Sequence, residues 1–230
     1  AGIAMGTCNE WTYKTERGDS ITGCYYLPPY FDETKQYPML VYYYGGVTPV
    51  GRLLESPYNY QAWAAMGYVV YVLQPSGCTG FGQEFAARHS NAWGDYTADD
   101  IINGTKQFVK EHPFVNPKKI GCMGASYGGF MTQYLQTRTD IFAAAQLASA
   151  APKHYDIEKV VKTPIYFTLG ENDMDKPSMY ESVIEKFREK GAEITFKILP
   201  NMNHREACNA AYTPESIKFL LSHKKQETTE

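Results

Sequence analysis

The chain has 230 residues, 43% of them hydrophobic and 20% charged, with a formal net charge of −3. That is enough apolar material for one large α/β domain with a two-sided core, and the mildly acidic balance removes any electrostatic case for a nucleic-acid or membrane-surface partner. No apolar run approaches the roughly 20 residues that span a bilayer, and Ala1-Gly2-Ile3-Ala4-Met5 lacks the charged start and apolar centre of a signal peptide. A processed N-terminus would erase that signal, so the expectation is a soluble protein, cytoplasmic or else periplasmic or secreted after processing.

Glu10 to Glu16 and Ser20 to Leu27 alternate as strands do, joined by the turn Arg17-Gly18-Asp19, and Pro28-Pro29 stops the second. Pro38 to Tyr44 reads as a buried strand ending at Gly45-Gly46. Asn59 to Met66 reads as a helix with Trp63 turned inward, followed by a strand over Tyr68 to Gln74. A long loop from Pro75 through Gly94 leads to a helix over Asp95 to Glu111, with Ile101, Ile102, Thr105, Phe108 and Val109 at helical spacing. Lys119 to Met123, Phe142 to Leu147, Ile165 to Leu169 and Glu193 to Leu199 read as strands. They alternate with helices over Phe130 to Arg138, Pro177 to Lys190 and Thr213 to Ser222; Gln226 to Glu230 reads as a frayed tail. A hairpin followed by alternating β and α predicts a mostly parallel sheet with helices on both faces and an antiparallel N-terminal edge.

Between the strand Lys119 to Met123 and the helix from Phe130 lies Gly124-Ala125-Ser126-Tyr127-Gly128-Gly129. A G-x-S-x-G bridging strand and helix forces the serine into a strained turn with its hydroxyl above the sheet, and small neighbours avoid a clash. The helix beside it points backbone N–H groups at any negative charge forming there. Ser126 is therefore a candidate nucleophile. A serine hydroxyl needs a base, and on this kind of fold the partners follow in the order Ser, Asp or Glu, His, each after a strand. Asp173 lies three residues past Gly170, where the strand from Ile165 is expected to stop, and His204 follows the strand from Glu193. Asp175 and Glu171 compete with Asp173. His112 reads as a helix-end residue facing the helix dipole, His223 and His89 as a helix and a loop residue, and His154 as a rival that follows the next strand after the serine.

Cys8, Cys24, Cys78, Cys122 and Cys208 are widely spaced, an odd count that argues against a disulfide framework while permitting one bridge. Cys122 is expected to be a small buried hydrophobe under the serine. Glu171-Asn172-Asp173-Met174-Asp175 is oxygen-rich but lacks the glycine and distal glutamate of a calcium loop. Gly77-Cys78-Thr79-Gly80-Phe81-Gly82 has the wrong order for a dinucleotide fingerprint. Neither a metal nor a cofactor is expected. Asn103-Gly104-Thr105 matches a glycosylation sequon but falls inside a predicted helix.

Tyr44-Gly45-Gly46, Gly67-Tyr68-Val69-Val70-Tyr71, Gly80-Phe81-Gly82, Trp93-Gly94-Asp95 with Asp99-Asp100, and Gly124 to Gly129 with Phe130-Met131-Thr132 occur together and in order. Over about residues 10–145 the chain thereby resembles the catalytic α/β-hydrolase domain of the prolyl oligopeptidase family, especially its dipeptidyl-peptidase and acylaminoacyl-peptidase branches. The resemblance implies Ser126 as nucleophile, His204 as base and Asp173 as its orienting acid. It implies an oxyanion hole of the Tyr127 backbone N–H and the Tyr44 hydroxyl, with Tyr127 also lining the specificity pocket. Peptides or small esters are the implied partners, and a dimer is one way to shield a site that has no propeller over it.

Three features depart from the family. The propeller that filters substrates is not among these residues. Ala148 to Tyr155 crosses directly a gap that relatives fill with a few dozen residues of pocket wall, and residues 153–230 are more similar to compact esterase or dienelactone-hydrolase-type domains. Asp175-Lys176 and Arg205-Glu206 stand where relatives place an Asn with an apolar residue and a Gly. The expectation is a serine hydrolase, peptidase first. A small carboxylesterase and a catalytically inactive scaffold are the alternatives.

Overall fold

The computed structural model describes residues 4–52, 54, 56–90, 92, 94–150 and 162–225. They fall into two units, Ala1–Ile120 and Gly121–Glu230. His154, Trp93 and the expected tail 226–230 lie outside the described residues.

In the first unit the early alternation becomes a hairpin. Strands β1 (Cys8–Lys14) and β2 (Ser20–Tyr26) pair antiparallel, Cys8 opposite Tyr26 and Lys14 opposite Ser20. The turn between them uses Gly18 at φ +89°, a conformation that costs glycine nothing. β4 (Val69–Leu73) pairs antiparallel with β2 and parallel with β3 (Tyr37–Tyr42), so these strands run in the order β1-β2-β4-β3. Every residue of β4 is buried, as its unbroken apolar run requires. Helix α1 (Tyr60–Ala65) begins where the Asn59 side chain accepts the Ala62 N–H, and Trp63 is buried as expected. The loop after β4 is more ordered than its glycines suggest: it holds a short helix α2 (Gln83–Ala86) and a 3-10 turn Ala87–His89.

Helix α3 (Asp95–Glu111) has the predicted bounds and buries Ile101, Ile102, Thr105 and Phe108, while Val109 is only half-buried. Phe108 anchors an aromatic cluster, stacked on Tyr71 at 4.8 Å and on His112 at 3.9 Å, with the Trp11 ring edge-on at 5.1 Å. His112 caps this helix, its Nδ1 2.8 Å from the Phe108 carbonyl oxygen.

The same helix brings in one buried charge. Asp100, 1% exposed, accepts the Ser76 N–H at 2.8 Å and an Arg17 N–H at 2.6 Å. Burial pushes the Asp100 carboxyl up by more than Ser76 and Arg17 pull it down. This carboxylate ties the hairpin turn, the end of β4 and α3 together.

β5 (Val115–Ala125) begins in the first unit and ends in the second. It is longer than the sequence suggests, because Asn116-Pro117 lies inside the strand, near its start, where a proline is tolerated. In the second unit, β5, β6 (Ala144–Ala148), β7 (Ile165–Asn172) and β8 (Ile194–Asn203) pair in that order, all parallel. Helix α4 (Tyr127–Arg138) follows β5, and α5 (Ser178–Glu189) joins β7 to β8. Two helices follow β8. α7 (Pro214–Ser222), capped by Thr213, was expected; α6 (His204–Ala210) was not. The five cysteines are free thiols. No helix among the described residues is long and apolar enough to cross a membrane.

Removing the Asp100 carboxylate strands the Ser76 N–H and takes from Arg17 its 2.6 Å partner, leaving it Asp19 at 3.4 Å. Asp100→Ala should therefore cost about 3 kcal/mol, the low end for a broken buried pair because Arg17 keeps some water. Urea unfolding with an unchanged m-value checks this; a midpoint within error of wild type would show the carboxylate to be dispensable.

Candidate active site

Ser126 occupies the single residue between the end of β5 and the start of α4, at φ +55° and ψ −117°. A side-chain-bearing residue there carries about 1–3 kcal/mol of strain and persists only where its surroundings enforce it. Two features enforce it. The Ser126 N–H donates to the Ala148 carbonyl at the end of β6, at 2.8 Å, and the Ser126 carbonyl accepts the Phe130 N–H in the first turn of α4, at 3.1 Å. The turn is also so tight that a Cβ on Gly124 would lie 2.3 Å from the Gly128 carbonyl oxygen, which explains the first glycine of the motif.

β7 runs three residues past Leu169, the last residue expected in the strand, to Asn172, with a register shift against β8 between Gly170 and Asn172. Asp173 follows at once, its N–H donating to the Gly170 carbonyl at 3.1 Å. β8 likewise continues to Asn203, so His204 is not a loop residue but the first residue of α6. The reason is a capping box: the Asn203 side chain accepts the Glu206 N–H at 3.1 Å, and Glu206 Oε2 accepts the Asn203 N–H at 2.9 Å. Glu206 thus fixes the start of the helix that carries His204. Gly170 permits the close approach, since a Cβ there would lie 2.4 Å from the Met202 carbonyl oxygen.

These elements bring Ser126, His204 and Asp173 into one line. His204 Nε2 lies 2.8 Å from Ser126 Oγ, and His204 Nδ1 lies 2.8 Å from Asp173 Oδ1. The Asp173 side chain is 3% exposed and that of His204 is 25% exposed, so the acid is sheltered while the base and hydroxyl remain reachable. Asp173 Oδ1 also accepts the Met174 N–H at 2.7 Å. Asp175 does not join the line; its Oδ2 accepts from the Tyr180 hydroxyl at 3.1 Å.

One neighbour was missed. Cys208, buried on α6, places Sγ 3.9 Å from His204 Nε2. Burial pushes its thiol up, so it stays protonated and is a poor rival nucleophile. Its spacing of one helical turn from His204 would have pointed to it had the helix been foreseen. Together with Ala125, Ala148 and Ala211 it makes a floor of small buried residues in this unit.

Tyr127 is the first residue of α4, half-buried, with its ring edge-on to Phe130 at 5.5 Å. Tyr44 belongs to the first unit, where it is half-buried just after β3 and just before Gly45 at φ +77°. The remaining described histidines have other duties. His112 and His223 bond carbonyls at the ends of their helices, and His89 packs its ring against Gly77.

Residues 55–152 match the family model for the prolyl oligopeptidase family. An uncharacterized peptidase of Bacillus subtilis, YuxL, is 33% identical over 59% of this chain, and dipeptidyl-peptidase 5 of Porphyromonas gingivalis is 30% identical over 70% of it. The chain spans 20% and 23% of the length of those two proteins. Among solved structures, the acylaminoacyl peptidase of Pyrococcus horikoshii superposes over 98% of this chain and 43% of its own, with a TM-score of 0.76 at 20% identity. Dipeptidyl peptidase 4 of Porphyromonas gingivalis does so over 95% and 36%, with a TM-score of 0.77 at 18% identity. Residues 55–152 thus match the prolyl oligopeptidase family, and the fold of the chain is the α/β-hydrolase fold of the peptidases on which it superposes.

Proposed function

We propose that the chain hydrolyses peptide or amide bonds through an acyl-enzyme, with Ser126 as nucleophile, His204 as base and then acid, and Asp173 as the group that orients His204. The observation that carries this reading is the unbroken line from Ser126 Oγ through both ring nitrogens of His204 to Asp173 Oδ1, 2.8 Å at each step. As Oγ attacks a substrate carbonyl, its proton passes to His204 Nε2. The Nδ1–H keeps donating to Asp173, so the new positive charge faces a buried carboxylate. The imidazolium then protonates the leaving amine, and water repeats the cycle on the acyl-enzyme.

The developing oxyanion needs donors that are already in place. The Tyr127 N–H suits the part, because the first N–H groups of a helix have no partner within the helix and lie at its positive end. The Tyr44 hydroxyl is the second donor, a role supported by its place directly before Gly45-Gly46 and by the family resemblance. Tyr127 would also line the pocket for the residue beside the scissile bond.

A second reading, a small carboxylesterase, is favoured by one observation: β6 ends at Ala148 and β7 begins at Ile165, leaving little chain to wall a peptide pocket. An activated ester tolerates looser positioning than an amide.

Hydrolysis of a short-chain nitrophenyl ester beside alanyl and glycyl-prolyl nitroanilides, with Ser126→Ala as blank, separates the readings. Anilide turnover that depends on Ser126 is the expected result. Ester turnover alone would favour the esterase, and no turnover above the blank would leave a folded, inactive scaffold.

Tyr44→Phe should lower kcat by 10-fold or more with little change in KM, since one oxyanion donor is worth about 3 kcal/mol in the transition state and little before it. An unchanged kcat would remove Tyr44 from the oxyanion hole. Asp173→Asn should lower kcat by about 10³–10⁴-fold by favouring the wrong histidine tautomer, far more than Asp175→Asn. The reverse order would transfer the orienting role to Asp175.

A further inference from the structure

We propose that Tyr180 is a positioning residue for the Ser126–His204–Asp173 line, its hydroxyl tying the segment that anchors the nucleophile to the loop that carries the acid. The proposal rests on the functional reading above and extends it to a residue that touches no reacting atom.

Tyr180 lies in the first turn of α5 and is 1% exposed, its ring 5.1 Å from that of Phe167 on β7. A phenylalanine would fill this space equally well, and burying a hydroxyl is costly unless it is used. The Tyr180 hydroxyl donates to the carbonyl of Ala150 and is shared with Asp175 Oδ2 at 3.1 Å. Each acceptor stands two residues from a part of the site. Ala150 follows Ala148, whose carbonyl holds the Ser126 N–H, and between them Ser149 is strained at φ +51°. Asp175 follows Asp173, the partner of His204. One phenolic hydrogen therefore sits between two acceptors, a carbonyl from the end of β6 and a carboxylate from the end of β7. Without that hydrogen the two acceptors face each other with nothing to bridge them, and the segments move apart. Because Asp173 and the Ser126 anchor belong to those segments, a small separation is felt along the whole line. A misplacement of about 1 Å can cost about 100-fold in rate.

The test compares Tyr180→Phe, Asp175→Ala and the double variant with wild type. It measures kcat per active site titrated with a fluorophosphonate, KM for the nitrophenyl ester, thermal stability, and the far-downfield proton resonance of the His204 Nδ1–H. Tyr180→Phe should lower kcat by about 10-fold with KM within about twofold, and should broaden or shift the His204 resonance. Asp175→Ala, which removes the acceptor, should act in the same direction, and the double variant should be no worse than the poorer single, since both break one link. An unchanged kcat and resonance alongside a lower Tm would make Tyr180 a core residue only and overturn the proposal. Losses that multiply in the double variant, or that fall on KM alone, would overturn it too. If wild type shows no Ser126-dependent turnover, the functional reading has failed. The His204 resonance then still decides whether Tyr180 orders the histidine–aspartate pair.

Discussion

Ser126 is held in a backbone conformation that side chains avoid, and much of the second unit can be read as the means of holding it. The strain is supportable because the Ala148 carbonyl receives the Ser126 N–H from a strand buried along its whole length. A buried strand cannot drift, and a hydrogen bond to it transmits that rigidity to the turn. The small residues around the turn follow from the same constraint. Gly124 and Gly128 approach too closely for a Cβ on Gly124, and Ala125 and Ala148 pack with Cys208 and Ala211 from the helix that carries His204 and its cap in one cluster of small side chains.

Asp173 poses the opposite problem, a carboxylate placed where water hardly reaches. Burial of a charge is tolerated only with hydrogen-bond partners, and here the partners are also the site: the Met174 N–H and the His204 Nδ1–H converge on a single oxygen. Bringing them there requires two strands to overrun their apolar stretches, β7 to Asn172 and β8 to Asn203. The polar residues at those ends are thus paired backbone rather than free loops. Asp100 in the first unit shows the same logic without chemistry. It is a buried carboxylate supplied with a backbone N–H and a guanidinium, and it joins three elements.

Much of this was legible in the residues. The bounds of α3 and the inward Trp63 followed from helical spacing and capping, and the hairpin followed from alternation around Arg17-Gly18-Asp19. The elbow was readable because its chemistry is local: glycines at fixed offsets, a strand before and a helix after. Asp173 and His204 were picked from their places after strands; the structure sets His204 beside Ser126 and Asp173 beside His204. Less was visible where a segment's state depends on its neighbours. Pro117 inside β5, the continuation of β7 past Gly170 and the helix from His204 all run against local signals. Pro117 contradicts the usual turn reading, Glu171-Asn172 looks like solvated loop, and Asn203-His204-Arg205-Glu206 is too short a pattern to separate from a turn.

The sequence by itself determined which residues carry reactive groups, the alternation of strand and helix that places them after strand ends, and the glycine-lined elbow. These are properties of spacing and of single-residue conformational preference, which act over a few positions. Only the tertiary structure decided that Asp173 rather than Asp175 faces His204, that Glu206 caps the helix beneath the base, that Cys208 stands beside His204, and that the Tyr180 hydroxyl meets both Ala150 and Asp175. Those outcomes depend on β5, β6, β7 and β8 lying side by side in register. Register between strands is set by packing across residues far apart in the chain, which no local pattern records.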